Sequence, residues 1–87
     1  MQIRKIKVKS SCGLHLREAA KVVNFSKRYK SRISLCRNCN FSDGCSILGI
    51  LALGACRDDE VAVIIEGPDE KLVAKNIDQI FTDGSGI

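Results

Sequence analysis

The chain's only histidine, His15, stands two residues after Gly13 and directly ahead of a helical pattern in "SCGLHLREAAKVV", residues 11–23. Leu16, Ala19, Ala20 and Val23 recur at the spacing of one helix face, so the imidazole lies at the mouth of a helix with Arg17 and Glu18 in its first turn. On its own such a histidine is simply a cap. Glu18, three residues on, is where a carboxylate can reach back to the N-cap amide as half of a capping box, worth about 1 kcal/mol. Two other stretches carry reactive groups. Cys36 and Cys39 have C-x-x-C spacing, which fits half a zinc site, a redox pair or two plain thiols, and Cys12, Cys45 and Cys56 supply no obvious second pair. Ser46 precedes Ile47, Leu48, Ile50 and Leu51 as an N-cap hydroxyl would.

The elements that must position these groups follow from pattern. "IRKIKVK" (3–9) alternates at Ile6 and Val8 as a first strand. The first helix runs from about Leu16 to Arg28 and ends in Lys27, Arg28 and Lys30, which suit the negative end of its dipole. "RISLC" puts Ile33 and Leu35 on one face, and "RNCN" turns into a brief strand around Phe41. A turn at Asp43-Gly44 leads to the Ser46 cap and a short helix closed by Gly54. "EVAVIIEG" is apolar at nearly every position, as a central strand is, with Val61, Val63 and Ile65 toward the core. "PDEKLVAKNIDQIF" opens on Pro68 and two acids, and repeats Val73, Ile77, Ile80 and Phe81 at helical spacing. Residues 83–87 read as a frayed tail. The order β-α-β-β-α-β-α gives an α+β fold, an antiparallel sheet with helices on one face, in a single domain over residues 1–87.

Composition narrows the function. Hydrophobic residues are 45% of the chain and charged residues 28%, the balance of a globular protein with its own core. No apolar run approaches the roughly 18–20 residues that span a bilayer, and the basic start lacks the apolar block of a signal peptide, so a cytoplasmic protein is expected. Five cysteines make an odd number, which with no export signal reads as reduced thiols rather than a disulfide scaffold. The net charge of +4 favours an acidic partner surface. Phe25, Tyr29, Phe41 and Phe81 form no stacking motif, so no nucleic-acid partner is expected.

Three landmarks in order resemble the HPr family, the histidine-containing phosphocarriers of the bacterial phosphotransferase system. "GLHLR" at 13–17 resembles the family's G-L-H-A-R. "SILGILALGA" at 46–55 resembles the segment holding its regulatory serine, and "DDEVAVIIEGPDE" its last strand and the turn into its last helix. The resemblance implies an open-faced sandwich with strand order 1-4-2-3 under three helices. It implies a monomeric carrier protein rather than an enzyme, with no cofactor and no metal. His15 would accept a phosphoryl group from enzyme I and pass it to an enzyme IIA-type acceptor, while Arg17 steadies it. The physics agrees. Free N–H groups and the positive dipole end of a helix disfavour an imidazolium and favour a phosphate. A guanidinium fork suits phosphate oxygens.

By the same resemblance Leu16, Ala20, Ile47, Leu48 and Leu51 would form an apolar docking surface rimmed by Arg17, Lys27 and Arg28. Leu48 and Leu51 read equally well as core. Ser46 matches a serine that a dedicated kinase phosphorylates in part of the family, where the added charge would repel acidic partners. Transcriptional regulators are further partners that the resemblance allows. Two residues depart from it: the family usually has proline where this chain has Glu18, and a small residue where it has Leu16. A carboxylate there, at a solvated surface, would oppose the phosphate by about 1 kcal/mol. That leaves an alternative in which the chain is an HPr-like regulatory protein with weak or no histidine phosphorylation. A thiol-based metal or redox sensor built on Cys36 and Cys39 is a third.

Overall fold

The computed structural model describes residues 1–9 and 13–77. Its elements run β1 (Gln2–Lys7), α1 (Leu16–Ser26), β2 (Arg32–Arg37), β3 (Asn40–Asp43), α2 (Ile47–Ala52), β4 (Glu60–Glu66) and α3 (Glu70–Asn76). The strands form one antiparallel sheet in the order β1-β4-β2-β3, as the resemblance implies. β4 is central, with Ile65 opposite Gln2 on one side and Ile33 on the other. Its alternate residues Val61, Val63 and Ile65 are fully buried, joining Ile6, Ile33 and Leu35 beneath the helices. Burial on one face only is what the period-2 alternation dictates.

Element ends differ from the sequence reading in explicable ways. β1 stops at Lys7, yet Val8 still faces the core, because its amide donates to the Asp59 carbonyl at 2.9 Å and its carbonyl accepts from Asp58 at 2.8 Å. The first helix stops at Ser26 rather than Arg28. The chain tightens there, with Arg28 N–H donating to Phe25 O at 3.1 Å, so Lys27 becomes the C-cap and Arg28 lies beyond it. The expected face of that helix is also rotated. Leu16 is 60% exposed, while Ala19, Val22, Val23 and Phe25 are buried with Glu18 among them. In α3, Val73 and Ile77 are buried as expected, whereas Ile80, Phe81 and the tail at 83–87 lie outside the described residues, as does Cys12.

The β2–β3 hairpin has Arg37 opposite Asn40, leaving a two-residue connection of Asn38 and Cys39 with φ of 49° and 67°. Positive φ at both positions is the signature of the type I′ turn, whose twist matches the strands and whose second position favours glycine. Cys39 is an exposed free thiol there. Cys39→Gly relieves the left-handed strain of a Cβ but adds chain entropy to the unfolded state, a net gain of roughly 0.5 kcal/mol. A thermal melt followed by circular dichroism is expected to shift upward by about 2–4 °C. A fall in the midpoint would mean that the cysteine side chain contributes a contact of its own.

Candidate functional site

His15 precedes α1 in an extended conformation, φ −102° and ψ 178°, and its side chain makes no capping hydrogen bond. Its carbonyl accepts the Ala19 N–H at 2.8 Å, which starts the helix, while the imidazole remains 58% exposed. The N–H groups of the first helical turn have no carbonyl behind them. Thus the imidazole is held by its backbone and left free at its tip.

The segment that delivers it rests on the connection between α2 and β4. Leu14 is buried and its N–H donates to the Ala55 carbonyl at 2.9 Å. Gly13 takes a left-handed φ of +72° and passes so close that a Cβ there would lie 2.4 Å from the same carbonyl oxygen. Two residues that sequence reasoning did not single out hold this connection. The Asp59 carboxylate accepts from Cys56 N–H at 2.8 Å and from Arg37 Nε at 3.1 Å, and Arg37 Nη1 also donates to Leu53 O at 3.0 Å. The Cys56 amide, with Arg37 behind it, keeps the Asp59 carboxyl below its ordinary value of 3.8. Arg37 lies outside the three landmarks, and Asp59 falls at the head of the third without a role of its own. Their meeting depends on β2 and β4 lying side by side.

Glu18 corrects the sequence reading most. Its expected place was a solvated surface, reaching back to the His15 amide. Instead it is 1% exposed, because it shares a helix face with Val22 and Phe25 one and two turns on. Burial pushes its carboxyl up, but hydrogen bonds from its own backbone N–H and from Arg17, with the charge of Arg17, leave it below 4.5. Arg17, itself 72% exposed, places Nε and Nη2 each 3.3 Å from Oε2. The other oxygen, Oε1, is buried, accepts no hydrogen bond, and lies 3.7 Å from His15 Nδ1. Arg17 is therefore engaged with Glu18 and must turn away to meet an incoming anion.

The match of residues 3–83 to the family model described as "PTS HPr component phosphorylation site" spans the sheet, all three helices and this site. The chain belongs to the HPr family. The phosphocarrier protein HPr of Treponema pallidum is 32% identical over 81 residues, covering 93% of this chain and 92% of its own. The crystal structure of HPr from Thermoanaerobacter tengcongensis superposes with a TM-score of 0.87 at 30% identity, covering 93% of this chain and 91% of that one. The HPr of a Mycoplasma, at 21% identity and a TM-score of 0.90, shares the fold over 99% of this chain and 98% of its own. As an HPr-family member this is a phosphocarrier protein of the phosphotransferase system and not an enzyme with a substrate of its own.

The other sequence-predicted residues gather near α1 and α2, which pack together. Ser46 caps α2, its hydroxyl accepting from Gly49 N–H at 3.1 Å. Leu48 is 80% exposed, so it is not core. Ile47 and Leu51 are half-buried and packed against the core, and Ala20 is half-buried on α1. Lys27 and Arg28 are exposed but stand at the far end of α1, about 17 Å along its axis from Leu16. Cys36 and Cys39 are free thiols, and among the described residues no three His, Cys, Asp or Glu side chains cluster as a metal would require. No helix among those residues is long and apolar enough to cross a membrane.

Proposed function

We propose that His15 is the phosphoryl acceptor, taking the group from enzyme I in the cytoplasm and passing it to an enzyme IIA-type protein. The observation that carries this reading is an imidazole more than half exposed at a helix start, fixed by its backbone and using neither ring nitrogen as a cap. Arg17 is the group that steadies the phosphate, since its guanidinium is mostly exposed and stands in the same helical turn that follows His15. Leu16 and Leu48, both bare, form the apolar centre of the docking face, with Ala20, Ile47 and Leu51 behind them and Lys27 and Arg28 at the rim. An apolar centre with basic surroundings suits an acidic partner, charge hastening encounter and burial holding the complex. Ser46 is a candidate regulatory phosphorylation site for a serine kinase. Ser46 is half-buried, and a dianion on it would sit beside Ile47 and Leu48 in the chain.

Incubation with enzyme I and phosphoenolpyruvate tests the proposal, with phosphate read as a mass increase that acid removes. The wild-type protein is expected to take up one phosphoryl group. Arg17→Ala should lower the rate of transfer about tenfold, the worth of one charge-assisted hydrogen bond. It should also lower the thermal midpoint, because it strips the buried Glu18 of its donor. A wild-type protein that folds, binds enzyme I and takes up no phosphate would overturn the carrier assignment in favour of a purely regulatory role.

A further inference from the structure

Residues 1–9 carry four cations, Arg4, Lys5, Lys7 and Lys9, and no Asp or Glu. Without these four the chain's 14 Lys and Arg fall to 10, equal to its 10 Asp and Glu. The whole net charge of +4 therefore lies on β1 and the two residues after it. All four side chains are exposed, and among the described residues none of them makes an ion pair or a side-chain hydrogen bond. β1 is an edge strand that pairs with β4 alone, so alternate N–H and C=O groups along it point away from the sheet. Ile3, Lys5 and Lys7 stand opposite Ile64, Ala62 and Glu60, on the sheet face turned away from the helices. Their spacing along the strand is about 7 Å. α3 packs on β1 and α2 on β3, which puts this edge across the sheet from the apolar docking face.

We infer that the outer edge of β1 is a docking site for an extended acidic segment of another protein, which adds to the sheet as a fifth strand. Main-chain hydrogen bonds to the free edge supply the affinity, and alternate side chains supply the specificity. Carboxylates at every second position of the incoming strand stand opposite Lys5 and Lys7, a cross-strand arrangement that favours opposite charges. Ile3, 57% exposed, adds an apolar contact at the start of the strand. Lysines on an edge are ordinarily a guard against strand pairing. Here the guard is selective. A second copy of this chain would set four cations against four, and a neutral strand would cover them without return. A strand bearing carboxylates turns the same charges into attraction. The cations lie in a line along one strand, on both sides of its pleat, which suits a strand better than the plane of a lipid surface. Residues 1–9 also hold no aromatic ring on which a nucleic-acid base could stack. This edge and its partner are independent of His15 and its phosphate.

The probe is a synthetic, end-capped peptide of alternating glutamate and threonine, titrated into the full 15N-labelled chain. NMR shift changes are expected at the amides of β1 and β4 and not in α1 or α2, with slower hydrogen exchange at the outward amides of β1. Lys5→Gln combined with Lys7→Gln, both at exposed positions, should weaken binding about tenfold, in keeping with the loss of two surface ion pairs. Lys27→Gln combined with Arg28→Gln removes the same charge elsewhere and should change binding by less than about twofold, because salt screens distant charges. The same peptide with N-methylated amides keeps its charge but cannot pair as a strand, and it should not bind. Equal binding of the N-methylated peptide, or equal losses in the two double variants, would reduce the effect to net charge and overturn the inference. So would a β1 that does not respond to the peptide at millimolar concentration. Shifts in β1 produced by phosphatidylglycerol vesicles or by a DNA oligonucleotide, and not by the peptide, would overturn it in favour of those partners.

Discussion

His15→Ala is expected to reduce acid-labile phosphorylation by enzyme I to the detection limit while leaving the fold in place. The loss is total because no second imidazole exists in the chain to take over. The fold survives because the ring makes no capping bond and is more than half exposed, and such substitutions move stability by about 0.5 kcal/mol or less. Helix α1 keeps its first turn, since the Ala19 N–H bonds to the backbone carbonyl of residue 15 and not to the ring. Intact-mass measurement before and after acid treatment gives the result, with circular dichroism as the check on folding. Acid discriminates the sites, since phosphate on the Ser46 hydroxyl would survive it. Acid-labile phosphate persisting in the variant would remove His15 from the mechanism altogether.

Gly13→Ala should have the largest effect on stability of any single methyl added near the site. At φ +72° a side chain costs about 1–2 kcal/mol in left-handed strain. The new Cβ would also stand 2.4 Å from Ala55 O and 2.9 Å from Cys56 Cα, both backbone atoms that no side-chain rotation can move aside. Relieving that clash breaks the hydrogen bond from Leu14 N–H to Ala55 O, worth about 1 kcal/mol, and lifts the buried Leu14 from its place. A total of about 3 kcal/mol corresponds to a fall of roughly 12–24 °C in the melting midpoint of a domain this size. Gly54→Ala is the control. It too has a left-handed φ, +65°, but nothing lies within 4 Å of the added atom, so it should lose only the strain. Equal losses in the two variants would mean that the close approach of Gly13 to Ala55 contributes nothing. Because Gly13 and Leu14 set the height of His15, phosphoryl uptake by Gly13→Ala should fall as well, even below its melting temperature.

What the sequence determined by itself is whatever depends on neighbours along the chain. The nearly continuous apolar run of "EVAVIIEG" specifies a central strand, and β4 is central with Val61, Val63 and Ile65 on its buried face. Ser46 ahead of an apolar run specifies a helix cap, and its hydroxyl bonds Gly49 N–H. The landmarks around His15, Ser46 and the last strand carry the family, and the family carries the strand order, which periodicity alone leaves open. Tertiary structure decided the rest. The stripe Leu16, Ala19, Ala20 and Val23 is a sound helical pattern, but Leu16 lies at the outer end of α1 and Glu18 turns inward with Val22 and Phe25. Nothing local distinguishes a carboxylate that faces water from one that a helix rotation buries. Only packing sets that rotation, because burying Val22 and Phe25 outweighs the desolvation of one glutamate whose Oε2 Arg17 can satisfy. Likewise Arg37 and Asp59 are 22 residues apart, and they meet only because β2 pairs with β4. The acceptor could be read from its motif. The carboxylate buried beside it, and the pair that supports the loop beneath it, exist as such only in the folded chain.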